Sequence, residues 1–132
     1  MVAISYLDTS AAVKLILKED YSAELYHYLS KARDVKLASS WLLHTELHCA
    51  VGRNPNEFDI DLVNSVLDTV DLVDLTRGDL LQAGFNKPLR THDAIHLAVA
   101  LRIGAIEFIT YDKELITYVK LAGLSVLSPG YS

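Results

Sequence analysis

Short apolar runs alternate with helix-like segments along almost the whole chain. The runs Val2–Leu7, Val35–Ala38 and Ile106–Thr110 are rich in β-branched and aromatic residues, which is typical of buried strands. In the longer stretches between them, apolar residues recur at helical spacing. This alternation favours a mainly parallel sheet covered by helices on both faces. With no repeat, linker or low-complexity tract, the chain is predicted to form one α/β domain over residues 1–132.

The pattern also predicts the other elements and their ends. Two more strands are predicted at Val70–Leu75 and Leu124–Leu127. Helices are predicted at Ala11–Lys18, Ser22–Ala32, Trp41–Val51, Phe58–Leu67, Asp79–Ala83, His92–Ile103 and Lys113–Ala122. The expected N-caps are Thr9 or Ser10, Ser39 or Ser40, and Thr91, and Gly52 is expected to end the third helix.

Composition narrows the class of protein. A hydrophobic fraction of 51% with 22% charged residues is that of a folded globular chain and not of a disordered one. The longest apolar runs are too short to cross a bilayer, and the chain opens on a strand-like segment, so no membrane association is expected. The lone Cys49, expected to be a buried small hydrophobe, cannot form an internal disulfide, and this favours a cytoplasmic location.

Four acidic residues occupy positions that an α/β chain places near the mouth of its sheet. Asp8 directly follows the first strand, and Asp112 follows the strand at Ile106–Thr110. Asp93 lies near the start of a predicted helix, and Glu46 lies in the middle of another. Ligands of open parallel sheets bind outside the carboxyl ends of the strands, so all four side chains can face one rim.

Gathered carboxylates repel one another unless a cation joins them. Each acid alone has an ordinary explanation as a helix cap, a turn residue or a solvated helix position, but capping alone does not explain four of them at one rim. Hard oxygen ligands suit Mg²⁺ or Mn²⁺, and the chemistry that follows is metal-assisted cleavage of a phosphate ester.

Four segments carry a family resemblance. YLDTSAAVKL, HTELHCA, LRTHDAIHLAVAL and FITYDKEL resemble the signature segments of the PIN-domain nucleases, and more narrowly those of the VapC toxins of toxin–antitoxin pairs. Each segment alone is a weak match, but together they are specific and extend from about Ile4 to Pro129.

The resemblance implies a three-layer α/β/α sandwich and a metal-dependent endoribonuclease that acts as a toxin. It further implies a cognate VapB-like antitoxin, an RNA substrate and a homodimer. The family's metal-binding acids fall on Asp8, Glu46, Asp93 and Asp112, with Ser10 and Thr110 as supporting hydroxyls. Two alternatives stay open: a stand-alone PIN nuclease for RNA processing, and a non-catalytic module that binds RNA or protein.

Charge does not decide whether RNA is the substrate. The net charge is −5, but residues 54–76 hold six acids and no Lys or Arg, so one region is strongly acidic and the rest of the chain is mildly basic. Lys14, Lys18, Arg90 and Lys113 lie near the four acids in sequence, and one or two of them are expected to contact the phosphate backbone. His44 and His48 lack the spacing of a closed zinc site, and His96 is expected to hydrogen-bond within the helix packing.

Overall fold

Five parallel strands form one sheet in the computed structural model, which describes residues 2–31, 33–86 and 88–131. In chain order the strands are β1 (Ala3–Leu7), β2 (Val35–Ser40), β3 (Asp71–Val73), β4 (Glu107–Ile109) and β5 (Ser125–Leu127). Their order across the sheet is β3-β2-β1-β4-β5, so β1 is central. All four pairings are parallel, and the carboxyl ends of the strands therefore share one edge.

Seven helices connect the strands in the described part of the chain. They are α1 (Thr9–Ile16), α2 (Ser22–Ser30), α3 (Trp41–Arg53), α4 (Ile60–Asp68), α5 (Arg77–Ala83), α6 (Thr91–Arg102) and α7 (Lys113–Leu121). None of them is both long enough and apolar enough to span a membrane.

Two hydrophobic clusters lie on opposite faces of the sheet. Neighbouring residues of a strand point to opposite faces, and accordingly Leu7 and Ile109 belong to one cluster while Tyr6 and Phe108 belong to the other. The first cluster takes its helical residues from α1 to α4, and the second takes them mainly from α5, α6 and α7. The predicted three-layer α/β/α sandwich with a parallel sheet is therefore confirmed.

Helix α6 is the most deeply buried helix of the described chain. Its residues Asp93–Ala100 are all buried, which agrees with an apolar character on every side. Ala94 and Ala98 are small enough for the helix to pack closely on the sheet at Tyr6 and Phe108. Any polar side chain in this stretch needs a partner within the protein, because burial removes its water.

Two of the three predicted N-caps differ from the observed ones. Asp8, not Thr9 or Ser10, is the N-cap of α1, because its carboxylate accepts the backbone N–H of Ser10 and the helix begins at once after β1. Thr91 is the first residue of α6 and not its N-cap. The N-cap is Arg90, whose side chain makes no capping hydrogen bond to the backbone of the helix. The expected cap at Ser40 is confirmed, since its hydroxyl accepts the N–H of Leu42.

Some element ends also differ. Helix α3 continues past Gly52 to Arg53, because the N–H of Asn54 still bonds to Ala50 and Gly52 keeps a helical conformation. Helix α2 ends at Ser30, and the predicted end at Ala32 lies outside the described residues. Strand β3 has only three residues, since no neighbour pairs with the exposed residues that follow it. Cys49 is exposed instead of buried, because it lies on the solvent side of α3.

Candidate active site

The four predicted acids lie around the carboxyl edge of the sheet. Asp8 follows β1, and Asp112 follows β4, the strand that pairs with β1. Asp93 lies in the first turn of α6. Glu46 lies in α3, the helix that leaves β2 on the other side of β1. The parallel register thus brings three elements after neighbouring strands to one rim.

Asp8 is buried, with 2% of its surface exposed. Its Oδ2 atom accepts hydrogen bonds from the Ser10 hydroxyl and the Thr110 hydroxyl, each at 2.8 Å, and from the Ser10 backbone N–H at 3.4 Å. Its Oδ1 atom is buried and has no hydrogen-bond partner among the described residues. One carboxylate oxygen is therefore saturated by the protein, while the other is withdrawn from water and unpaired, which is unfavourable without a cation.

Ser10 and Thr110 form a hydroxyl pair against Asp8. Their oxygen atoms are 3.1 Å apart. The Ser10 hydroxyl also accepts the backbone N–H of Tyr111 at 3.0 Å, and that of Thr110 accepts the N–H of Asp112 at 3.2 Å. These contacts orient both hydroxyls toward the Asp8 carboxylate and tie the start of α1 to the loop after β4.

Asp93 is almost completely buried, at 4% exposure. Burial, followed by repulsion from Asp8 and Asp112, raises the pKa of Asp93 above its ordinary value, although His92 and Arg90 oppose the shift. Asp8 and Asp112 thus lie close enough to Asp93 to disfavour the charge of its carboxylate. A bound cation would relieve this repulsion, and perturbed pKa values of this kind are typical of functional sites.

Arg90 joins two of these acids. Its Nε atom donates to Asp93 Oδ2 at 3.3 Å, and its Nη2 atom donates to Asp112 Oδ2 at 2.8 Å. The other oxygen of Asp112 caps α7 by accepting the N–H of Leu115 at 3.1 Å. The Arg90 side chain is 62% exposed, so its guanidinium is a solvent-accessible counterion at the mouth of the site.

Glu46 is turned toward a different set of partners. Its Oε1 atom accepts the Thr9 hydroxyl at 2.8 Å and lies 2.6 Å from His96 Nε2. Burial acts to raise the pKa of Glu46, but its interaction with His96, first of all a hydrogen bond, and the hydrogen bond from Thr9 outweigh burial and lower the pKa overall. No hydrogen bond from the described residues reaches Oε2. Glu46 thus remains an ionised carboxylate with one oxygen held by the protein.

Sequence reasoning did not identify three members of this arrangement. Tyr6, Thr9 and His96 had no predicted site role. His96 was expected to hydrogen-bond within the helix packing, and it does so with Glu46 of α3 and Thr9 of α1, while its other nitrogen bonds to Tyr6 of β1. The signal was weak: His96 stands three residues after Asp93, on the same side of the helix. Arg90 was only one of four possible phosphate contacts. Its position between two acids depends on the loop geometry.

The donor set fits a hard divalent cation. Over residues 2–31, 33–86 and 88–131, no three His, Cys, Asp or Glu side chains already stand in a ligand arrangement, since Glu46 faces His96 and Asp112 faces Arg90. Yet the unpaired Oδ1 of Asp8 and the carboxyl group of Asp93, whose pKa is raised, are oxygen ligands of the kind that Mg²⁺ and Mn²⁺ prefer. His44 and His48 stack on each other at 4.2 Å and contact none of these acids.

The fold and the site define a parallel α/β protein with buried acids at the carboxyl edge of its sheet. Comparison with known proteins gives its family. The sequence model of the PIN domain matches residues 5–121. Ribonuclease VapC47 of Mycobacterium tuberculosis is 34% identical over 131 residues, covering 95% of this chain and 96% of that protein. The chain therefore belongs to the PIN domain family and is VapC-like over nearly its whole length.

Two solved structures share the fold. The crystal structure of Mycobacterium tuberculosis VapC20, described as a sarcin–ricin loop cleaving toxin, superposes with a TM-score of 0.71 at 16% identity, covering 95% of this chain and 99% of that one. VapBC2 from Rickettsia felis, bound to a DNA fragment from its promoter, superposes with a TM-score of 0.67 at 18% identity, covering 94% and 97%. At these identities the similarity supports the fold, and the site stands on its own geometry.

Proposed function

We propose that this protein is a metal-dependent endoribonuclease and the toxin of a toxin–antitoxin pair. The observation that carries the proposal is the buried Asp8 carboxylate, which has one unpaired oxygen and lies near Asp93, a carboxyl group with a raised pKa. The ribonuclease name of a relative at 34% identity supports the RNA substrate. Phosphodiester cleavage is the chemistry that such a carboxylate site serves best.

The ion would be held by Asp8 and Asp93, with Asp112 and Glu46 completing the acidic rim. Mg²⁺ or Mn²⁺ is the expected ion, because the donors are hard oxygens and include no sulfur. When bound, the ion supplies Lewis-acid activation of water and offsets charge on the phosphoryl oxygens. Ser10 and Thr110 keep the Asp8 carboxylate in one orientation, as their two 2.8 Å hydrogen bonds require.

Arg90 is the cation best placed to meet the substrate. It is exposed, it carries the only guanidinium that contacts Asp93 or Asp112 among the described residues, and its fork geometry suits phosphate oxygens. With the two acids held by a divalent ion, the guanidinium would no longer serve as their counterion and would be available to a phosphate of the RNA. Glu46, ionised and held at one oxygen, is positioned to accept a proton or orient a water through the other.

An antitoxin-type partner would occupy the groove between α2 and α4. A cavity of about 550 Å³ lies there, lined on the two helices by Tyr26, Leu29, Leu62 and Val66. Such an apolar groove accepts one face of an amphipathic segment. The Rickettsia felis neighbour is a VapBC complex, which supports a protein partner for this chain.

A homodimer would use the exposed apolar surface of α5 and the turn after it. Leu80, Leu81 and Phe85 are 53%, 64% and 80% exposed. Three exposed apolar residues in one short segment differ from the singly scattered ones that are normal on a monomer, and they are typical of an interface. The RNA substrate and the lone Cys49 agree with action in the cytoplasm.

Cleavage of an end-labelled RNA tests the enzyme assignment. We expect cleavage with Mn²⁺ or Mg²⁺, none with EDTA, and a loss of at least about 100-fold in Asp8→Asn. Asp68→Asn is the matched control, because it removes the same charge from the exposed surface of α4. RNA binding without cleavage under every condition would instead identify a non-catalytic module. Neutralisation by the product of an adjacent upstream reading frame would separate a toxin from a stand-alone nuclease.

A further inference from the structure

We propose that Tyr6, His96 and Thr9 are positioning residues that clamp Glu46 in the orientation the reaction needs. The inference rests on the proposed function, in which Glu46 belongs to the acidic rim. It goes beyond that function because it assigns a role to three residues of β1, α1 and α6 that are not expected ligands.

The hydrogen bonds form a single directed chain. The carboxylate oxygen Oε1 of Glu46 only accepts, so His96 Nε2, at 2.6 Å, must carry a proton. In a neutral imidazole the other nitrogen, Nδ1, then accepts, and its partner at 2.6 Å is the Tyr6 hydroxyl, which must donate. The chain thus runs from the Tyr6 O–H through the His96 ring to Glu46, and it requires one tautomer of His96.

Burial indicates that the chain is more than ordinary core packing. Tyr6 and His96 are both 0% exposed: Tyr6 belongs to the apolar cluster on which α6 packs, and His96 lies in α6 between Ile95 and Leu97 of the same cluster. Tyr6 already stacks on Phe108 with ring centroids 5.1 Å apart, a contact that needs no hydroxyl. Two polar groups in an apolar layer are unfavourable unless each is paired, and the hydrogen bond from Tyr6 to His96 continues to Glu46.

The clamp acts on one oxygen only. The Thr9 hydroxyl donates to Oε1 at 2.8 Å and lies 3.1 Å from His96 Nε2, so both donors converge on the same atom. A glutamate in the middle of a helix otherwise samples many rotamers, and fixing Oε1 holds Oε2 in one direction. Outer partners of this kind typically change metal affinity or activity by about 10- to 100-fold when they are removed.

Two conservative variants test the clamp. Tyr6→Phe removes only the hydroxyl at the far end of the chain, and Thr9→Val removes the second donor with little change in shape. Each is expected to weaken Mn²⁺ binding, measured by calorimetry, and to lower kcat/KM for RNA, both by about tenfold. Tyr118→Phe is the matched control, since Tyr118 packs against the same apolar cluster and its hydroxyl bonds to none of these residues.

A double-mutant comparison separates positioning from stability. In a Glu46→Gln background, Tyr6→Phe should produce no further loss of Mn²⁺ affinity or of kcat/KM, because the group that it positions is already altered. Additive losses would overturn the proposal. If Glu46→Gln alone binds Mn²⁺ and cleaves RNA like the wild type, the proposed place of Glu46 in the site fails instead, and the two failures are thereby distinguished.

The tautomer gives a test that requires no variant to fold. Ring ¹⁵N chemical shifts of the wild-type protein should show His96 protonated at Nε2 and unprotonated at Nδ1. A ring protonated only at Nδ1 would overturn the chain, and so would wild-type Mn²⁺ affinity and kcat/KM in both Tyr6→Phe and Thr9→Val.

Discussion

Replacing Asp8 by asparagine should separate the activity of this protein from its stability. Asparagine caps a helix about as well as aspartate, so the start of α1 is preserved within a few tenths of a kcal/mol. Its side-chain carbonyl can still accept from Ser10 and Thr110, although the loss of the charge weakens those bonds by about 1–2 kcal/mol in total. Removing a buried, unpaired anionic oxygen returns about 1–3 kcal/mol. We therefore expect the free energy of unfolding to change by less than about 1 kcal/mol.

Alanine at the same position should behave differently. It removes the cap, which contributes about 1 kcal/mol, and it leaves the two hydroxyls without their shared acceptor, at a further cost of about 1–3 kcal/mol. Because Asp8→Ala also removes the unpaired anionic oxygen, it regains the same amount as Asp8→Asn, about 1–3 kcal/mol, so in urea titrations without metal it should be less stable than Asp8→Asn by about 1–2 kcal/mol.

The metal response provides the second measurement. At an Mn²⁺ concentration 100 times the dissociation constant, binding stabilises the native state by about 2.7 kcal/mol, which raises the melting temperature of a chain of this size by about 10 °C. Asp8→Asn should lose most of that rise together with RNA cleavage. An Asn variant that keeps both would refute the role of Asp8, and one destabilised by more than about 1 kcal/mol would refute the claim that the unpaired oxygen is unfavourable.

Three further predictions concern other parts of the protein. Mn²⁺ binding should weaken on acidification at a higher pH than for an ordinary carboxyl, because burial and neighbouring acids raise the pKa of Asp93; calorimetry across about pH 4–7 should show a step that Asp93→Asn removes. Without metal, the raised pKa of Asp93 acts on folding in the opposite direction. It stabilises the folded protein below pH 3.8, the ordinary pKa of the group, and this contribution is lost as the pH rises through the raised pKa. Arg90→Gln should tighten Mn²⁺ binding by about fivefold, since the guanidinium neutralises the same carboxylates as the ion. It should change the free energy of unfolding by less than about 1 kcal/mol, because the side chain is 62% exposed. An unchanged dissociation constant for Mn²⁺ would contradict this competition. Phe108→Ala should lower the free energy of unfolding by about 3–5 kcal/mol. Phe85→Ala, at 80% exposure, should have little effect on unfolding but should dissociate the proposed homodimer in size-exclusion chromatography.

The sequence by itself determined the order of strands and helices, the parallel sheet and the acids at its carboxyl edge. Strand and helix periods are local properties, and a carboxylate that directly follows a strand has its place set by that strand, as Asp8 does after β1. The same local rules misplaced the cap of α1 and the end of α3, because a cap depends on which nearby group wins the free N–H and glycine alone does not stop a helix.

Only the tertiary structure decided which partners each acid has. His96 reaches Glu46 across 50 positions, and Arg90 reaches Asp112 across 22. Such pairings arise when separate elements pack against one sheet and each buried polar group takes the nearest available partner, so no period in the sequence encodes them. The same packing left one oxygen of Asp8 unpaired, and that oxygen is the strongest physical reason to place a cation there.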